Sequence, residues 1–136
     1  MANEDEYHGN VGRFLTGQDA RTRTARYRAH KKEQGYGPEA FTRAEFFGSN
    51  QINKLLGRKE CVGIRIYYGK TQEDTDGNPT DDKAAPLKSR MVIVGVRADG
   101  TDIFEDKTGQ KDPGDGEALG DGHDCPRRCA QPASSL

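Results

Sequence analysis

Between Cys61 and Gly69 the side chains alternate in character. Val62, Ile64, Ile66 and Tyr68 fall on one face, and Cys61, Gly63, Arg65 and Tyr67 on the other. A period of two predicts a β-strand. A second strand is expected over Ser89–Arg97, where MVIVGV is apolar on both faces and reads as a central or doubly covered strand. Asp99-Gly100 is a tight-turn signal, and Thr101–Phe104 completes a short third strand.

Upstream the period changes to that of helices. Thr16 can cap a helix with Asp19 in its first turn, and the helix runs through ARTRTARYRAHKKEQ to Gly35. Its apolar content is thin, so a buried face cannot be its main support. Pro38 sits at a favourable first position for a second helix carrying Phe41, Ala44 and Phe47. Gly48 weakens that helix and Ser49 can recap it. Ile52, Leu55 and Leu56 form the next stripe, with Gly57 as C-cap. These residues, with Phe46, are the densest core material.

The fold class is therefore α+β: two or three N-terminal helices packed on a small antiparallel sheet. The chain reads as one domain of 136 residues, with a flexible arm over 1–12, a helical part over 13–58, a sheet over 61–104 and a loop-rich tail over 105–136. Hydrophobic residues make up only 32%, against about 45–50% apolar in ordinary domains. A core this thin is expected to be completed by self-association, a partner or a metal.

No run approaches the ~18 apolar residues of a membrane helix, and the first thirty residues hold no apolar signal segment. The expectation is a cytoplasmic protein without a membrane partner. Its net charge of −1 hides a polarity: residues 1–69 carry 12 Lys and Arg against 8 Asp and Glu, and residues 70–136 carry 9 against 14.

Three segments could carry chemistry. The basic helix gathers Arg21, Arg23, Arg26, Arg28, Lys31 and Lys32, a row able to lie along phosphates or to pair with acidic loops of a neighbouring copy. The acidic loop 70–86 misses the calcium-loop pattern, because counting from Asp74 puts Pro79 where glycine is required and Ala85 where glutamate is required. The tail places Cys125 and Cys129 four residues apart with His123 just before them, and Cys61 could add a fourth ligand. That set suits zinc or an oxidisable thiol pair, against the plainer reading of ordinary thiols in a terminal segment. No catalytic constellation is present: G-x-S-x-G, P-loop and H-E-x-x-H patterns are all missing.

The segments INKLLG (52–57), CVGIRIYYG (61–69), MVIVGVRADGTDI (91–103) and GDGHDCPRRC (120–129) resemble an uncharacterised group of small proteins from Bacteroidota-type bacteria. The resemblance spans about residues 40–136 and implies no activity or cofactor. It implies only that the tail cysteines belong to the protein. The expected function is non-enzymatic: self-assembly as a homo-oligomer, or binding of a protein partner. The alternatives are a nucleic-acid-binding module using the basic helix, and a zinc-binding or redox-responsive protein using Cys61, His123, Cys125 and Cys129.

Overall fold

A computed structural model describes residues 6–104, 117–125, 128 and 136. The architecture is α+β, in the order α1 (Gly17–Glu33), β1 (Ala44–Phe46), α2 (Ser49–Leu56), β2 (Cys61–Gln72), β3 (Leu87–Arg97), β4 (Asp102–Ile103) and β5 (His123–Cys125). Two antiparallel pairings are local in sequence and one is not. A three-stranded sheet has the order β2-β3-β4, and a separate two-stranded sheet joins β1 to β5. The described residues fall into two compact units, one built from 6–13, 47–68, 91–104 and 117–121, the other from 14–46, 69–90 and the described residues of 122–136.

The first unit holds most of the apolar core: Leu55, Ile93, Val94, Val96 and Ile103 are buried. The two-faced apolar run in β3 is thus the central strand its pattern predicts. Gly95 pairs with Ile103, and Val96 with Asp102. A bridge from Ile93 to Leu119 covers the next stretch of β3. The end of α2 packs tightly here. A Cβ on Gly95 would come within 3.1 Å of the Cys61 sulfur and 3.3 Å of the Leu55 carbonyl oxygen. Arg58, also buried, closes the unit from α2's end. Its guanidinium donates to the carbonyls of Ile103 (3.2 Å) and Glu117 (2.8 Å) and to the Glu117 carboxylate (3.0 Å).

In the second unit, α1 starts and stops as its residues direct. The Thr16 hydroxyl accepts the Asp19 amide at 3.1 Å. At the other end Gly35 adopts φ +93°. Its amide bonds to the Lys32 carbonyl and that of Tyr36 to the Lys31 carbonyl, both at 3.0 Å. This pair of bonds satisfies the last carbonyls of the helix. No residue of α1 is buried.

The helix expected to open at Pro38 is not formed, so the described residues hold two helices. Residues 37–40 make a turn closed by the Ala40 amide on the Gly37 carbonyl. Ala44, Glu45 and Phe46 are extended instead, opposite Cys125, Asp124 and His123 of β5. The apolar spacing of Phe41, Ala44 and Phe47 suits a helix, but a strand partner eighty residues away competes for the same backbone. The expected core shifts accordingly. Leu55 is buried, Phe41, Phe47 and Ile52 are half-buried, and Phe46 and Leu56 are exposed.

Candidate interaction surfaces and a buried charge cluster

Among the described residues β2 is an edge strand, paired only with β3. Its apolar face does not enter the core of the first unit. Ile64 is 37% exposed, Ile66 52% and Tyr68 89%. These three alternate along one side of the strand, so they form a row. Val62, on the same side, is half-buried. On the other face the Asp102 carboxylate accepts from both the Arg65 guanidinium and the Tyr67 hydroxyl, and the Tyr7 ring lies 5.6 Å from the Arg65 guanidinium. Burial opposes the charge on Arg65, but the contacts with Tyr67 and Asp102 outweigh it and raise its pKa. Arg65 is the only charged residue between Cys61 and Tyr68. Edge strands are commonly guarded by charges that discourage pairing; over 61–68 the single charge is already engaged, and the next one on β2, Lys70, is exposed.

The basic helix presents a different surface. Arg21, Arg23, Arg26 and Lys32 are exposed, and Arg28 and Lys31 half-buried. None of the six makes an ion pair among the described residues. Lys31 instead lies over the rings of Tyr36 (4.9 Å) and Tyr27 (5.7 Å), and Tyr27 meets Phe41 edge to face. Arg28 reaches the terminal Leu136 carbonyl at 3.5 Å.

The suggested zinc or redox residues divide between the units. Cys61 is free, belongs to the first unit and donates its thiol to the Gly63 carbonyl at 3.2 Å. His123 and Cys125 lie on β5 in the second unit. Cys125 is disulfide-bonded, so in this state it offers no thiolate to a metal. Its sulfur accepts from Arg43 Nε at 3.1 Å. Cys129 lies outside the described residues. Among the described residues no group of three His, Cys, Asp or Glu is placed to hold a metal ion.

Sequence reasoning missed the centre of the second unit. Arg90, Glu73 and Asp124 are buried, and the Glu45 side chain with them. Arg90 donates to the Gly122 carbonyl at 2.6 Å, and the Gly122 amide donates to Glu45 at 3.0 Å. Arg90 Nε lies 3.5 Å from Glu45 without a hydrogen bond. Arg90 Nη1 lies 3.4 Å from Glu73 and 3.5 Å from Asp124. Burial pushes the Glu73 pKa up, the neighbouring Asp124 and Glu45 add to that, and Arg90 and Lys88 pull against it. Glu73 lies in the acidic loop and Asp124 in the cysteine-bearing tail, but the four residues are scattered over eighty positions, so only a long-range pairing could have grouped them.

The acidic loop is a built hairpin rather than an ion cradle. Asp74 Oδ1 accepts the amides of Asp76 (2.9 Å) and Asn78 (3.0 Å), and Glu73 bridges to Pro79.

No helix among the described residues is long and apolar enough to cross a membrane. No protein-family model, curated protein or solved structure matches the chain.

Proposed function

We propose that this chain works by association rather than catalysis, and that a second copy of itself pairs along β2. The observation that carries the reading is the row of Ile64, Ile66 and Tyr68 on an edge strand. An exposed apolar row on a strand with no second strand partner among the described residues is a template for another strand. A second β2 meets it antiparallel about a two-fold axis, so each copy offers the same row to the other. The thin apolar core, confined largely to the first unit, supports the same reading, since association buries surface that a single chain leaves wet.

Light scattering after size exclusion tests it. The expected mass is twice the 15.0 kDa of the chain, and Ile66→Lys should return it to one chain. High salt should leave the dimer intact, because apolar burial and strand pairing are not screened. A monomer at concentrations of order 100 μM would overturn the proposal, since an interface with a Kd of order 10 μM or tighter is mostly assembled there. A dimer that dissolves in salt would move the contact to the basic helix and acidic loops.

A second reading rests on α1. Its six cations lack ion-pair partners among the described residues, and a polyanion such as nucleic acid would supply them. It predicts affinity for single- or double-stranded nucleic acid that falls linearly with the logarithm of salt concentration. Replacing Arg21, Arg23 and Arg26 with Gln should reduce that slope.

A further inference from the structure

Tyr27 and Tyr36 are each 46% exposed, and each is held by its surroundings. Tyr27 lies on α1 and meets the half-buried Phe41 edge to face at 5.9 Å. Tyr36 follows the end of the helix. Gly35 turns the chain there with φ +93°, and the Tyr36 amide bonds back to the Lys31 carbonyl at 3.0 Å. The Lys31 ammonium serves both rings, 5.7 Å from the centre of Tyr27 and 4.9 Å from that of Tyr36.

The cations of α1 extend these rings into a stripe. Arg23, Tyr27 and Lys31 recur every four residues, so they share one side of the helix, with Arg26 and His30 beside them. Arg23 and Arg26 are exposed and make no ion pair among the described residues. Guanidinium groups suit phosphate oxygens, and a chain of phosphates meets several of them at once. Phosphates alone would leave the rings unused. A ring beside a cationic track is a stacking surface for a base. In a duplex the bases cover one another and show only their edges in the grooves; an unpaired strand offers their faces. An acidic stretch of protein would supply carboxylates without planar faces. The cavity of about 470 Å³ that Lys31 and Tyr36 border is no part of this track. Its wall sets Glu39, Glu73, Asp74 and Asp124 against three lysines, so it offers a phosphate no net attraction.

We infer that α1 binds a single-stranded nucleic acid, with phosphates along Arg23 and Arg26 and bases stacked on Tyr27 and Tyr36. The inference rests on the polyanion reading of α1 and narrows it to unpaired bases. It is independent of pairing along β2, because every residue it uses lies in the second unit.

Fluorescence anisotropy of the full chain tests it, with labelled thymidylate and uridylate strands of about 20 nucleotides, longer than the roughly 4–16 of known single-strand modules. The comparison ligands are an abasic strand of the same length and charge, a duplex of that length, and poly-glutamate. At least one base-bearing strand, DNA or RNA, should bind about tenfold or more tighter than the abasic strand, the size of stacking on one or two rings. It should also bind tighter than the duplex. Tyr27→Leu and Tyr36→Leu should each remove several-fold of that advantage and leave abasic binding and the salt slope as they were. Arg23→Gln with Arg26→Gln should do the reverse and lower the slope for every strand. Equal binding of abasic and base-bearing strands, or a preference for the duplex, would overturn the inference and leave the polyanion reading of α1 standing. No binding to any strand would sink both, as would tighter binding of poly-glutamate, which would point to an acidic protein partner. The abasic comparison uses the unaltered chain, so it decides the matter even where a variant does not fold.

Discussion

The ring of Tyr7 occupies the space that a side chain on Gly100 would need. A Cβ built there would lie 2.7 Å from the Tyr7 ring, and Gly100 holds φ +88° in the turn between β3 and β4. Both observations penalise any other residue. Gly100→Ala should lower stability by about 1–3 kcal/mol, from left-handed backbone strain plus displacement of the ring. Urea unfolding of Gly100→Ala, Tyr7→Ala and the double variant measures this. The double variant should be less destabilised than the sum of the singles, because removing the ring removes the clash.

Arg58 should be the most sensitive charged position of the first unit. Its side chain is buried and serves two backbone carbonyls, those of Ile103 and Glu117. Arg58→Met keeps much of the apolar stem but strands both acceptors. A loss of about 2–4 kcal/mol in chemical denaturation is expected. Glu117→Gln should cost far less, since the Glu117 side chain is 62% exposed and its surface ion pair is weak.

The charge cluster predicts a pH dependence with a definite sign. The Glu73 pKa is raised above its ordinary 4.5, mainly by burial. A carboxyl group with a raised folded-state pKa binds more protons folded than unfolded. Its contribution is fully present below the unfolded value and is lost as pH rises through the folded one. Glu73→Gln removes that dependence. Its stability relative to the unaltered chain should therefore climb as pH is raised from about 4 to about 8. Urea midpoints across that range provide the measurement, and a flat or falling difference would contradict the account.

Helix α1 buries no residue, so its ends matter more than in a packed helix. Thr16→Ala removes the acceptor for the Asp19 amide and should cost about 1 kcal/mol of helix stability. Backbone exchange should quicken first around residues 17–20. Far-ultraviolet circular dichroism should show a partial loss of helix while the first unit, which does not include α1, stays folded.

Much of the local structure was legible in the residues themselves. Thr16 and Gly35 bracket α1, Gly57 ends α2, and alternation in Cys61–Tyr68 identifies β2, because caps and periods act over a few residues of neighbouring backbone. The apolar run in β3 even declares its central place, since only a strand covered on both faces can be apolar on both. The alternation in β2 gave its conformation correctly but not its burial. A pattern of two states which residues share a face, and the neighbouring elements decide whether that face is covered.

What tertiary structure alone decided lies in the second unit. Phe41, Ala44 and Phe47 have helical spacing, yet residues 44–46 are a strand because β5 offers hydrogen bonds from the far end of the chain. That pairing sets Glu45 opposite Asp124, and the two join Arg90 and Glu73. Nothing local marks any of the four for burial, and exposed charge is the ordinary fate of such residues. The sequence by itself determined the boundaries and types of most elements, which are matters of short-range backbone energetics. Which charges would be buried, and which apolar row would be left in water, depended on contacts between residues far apart in the chain.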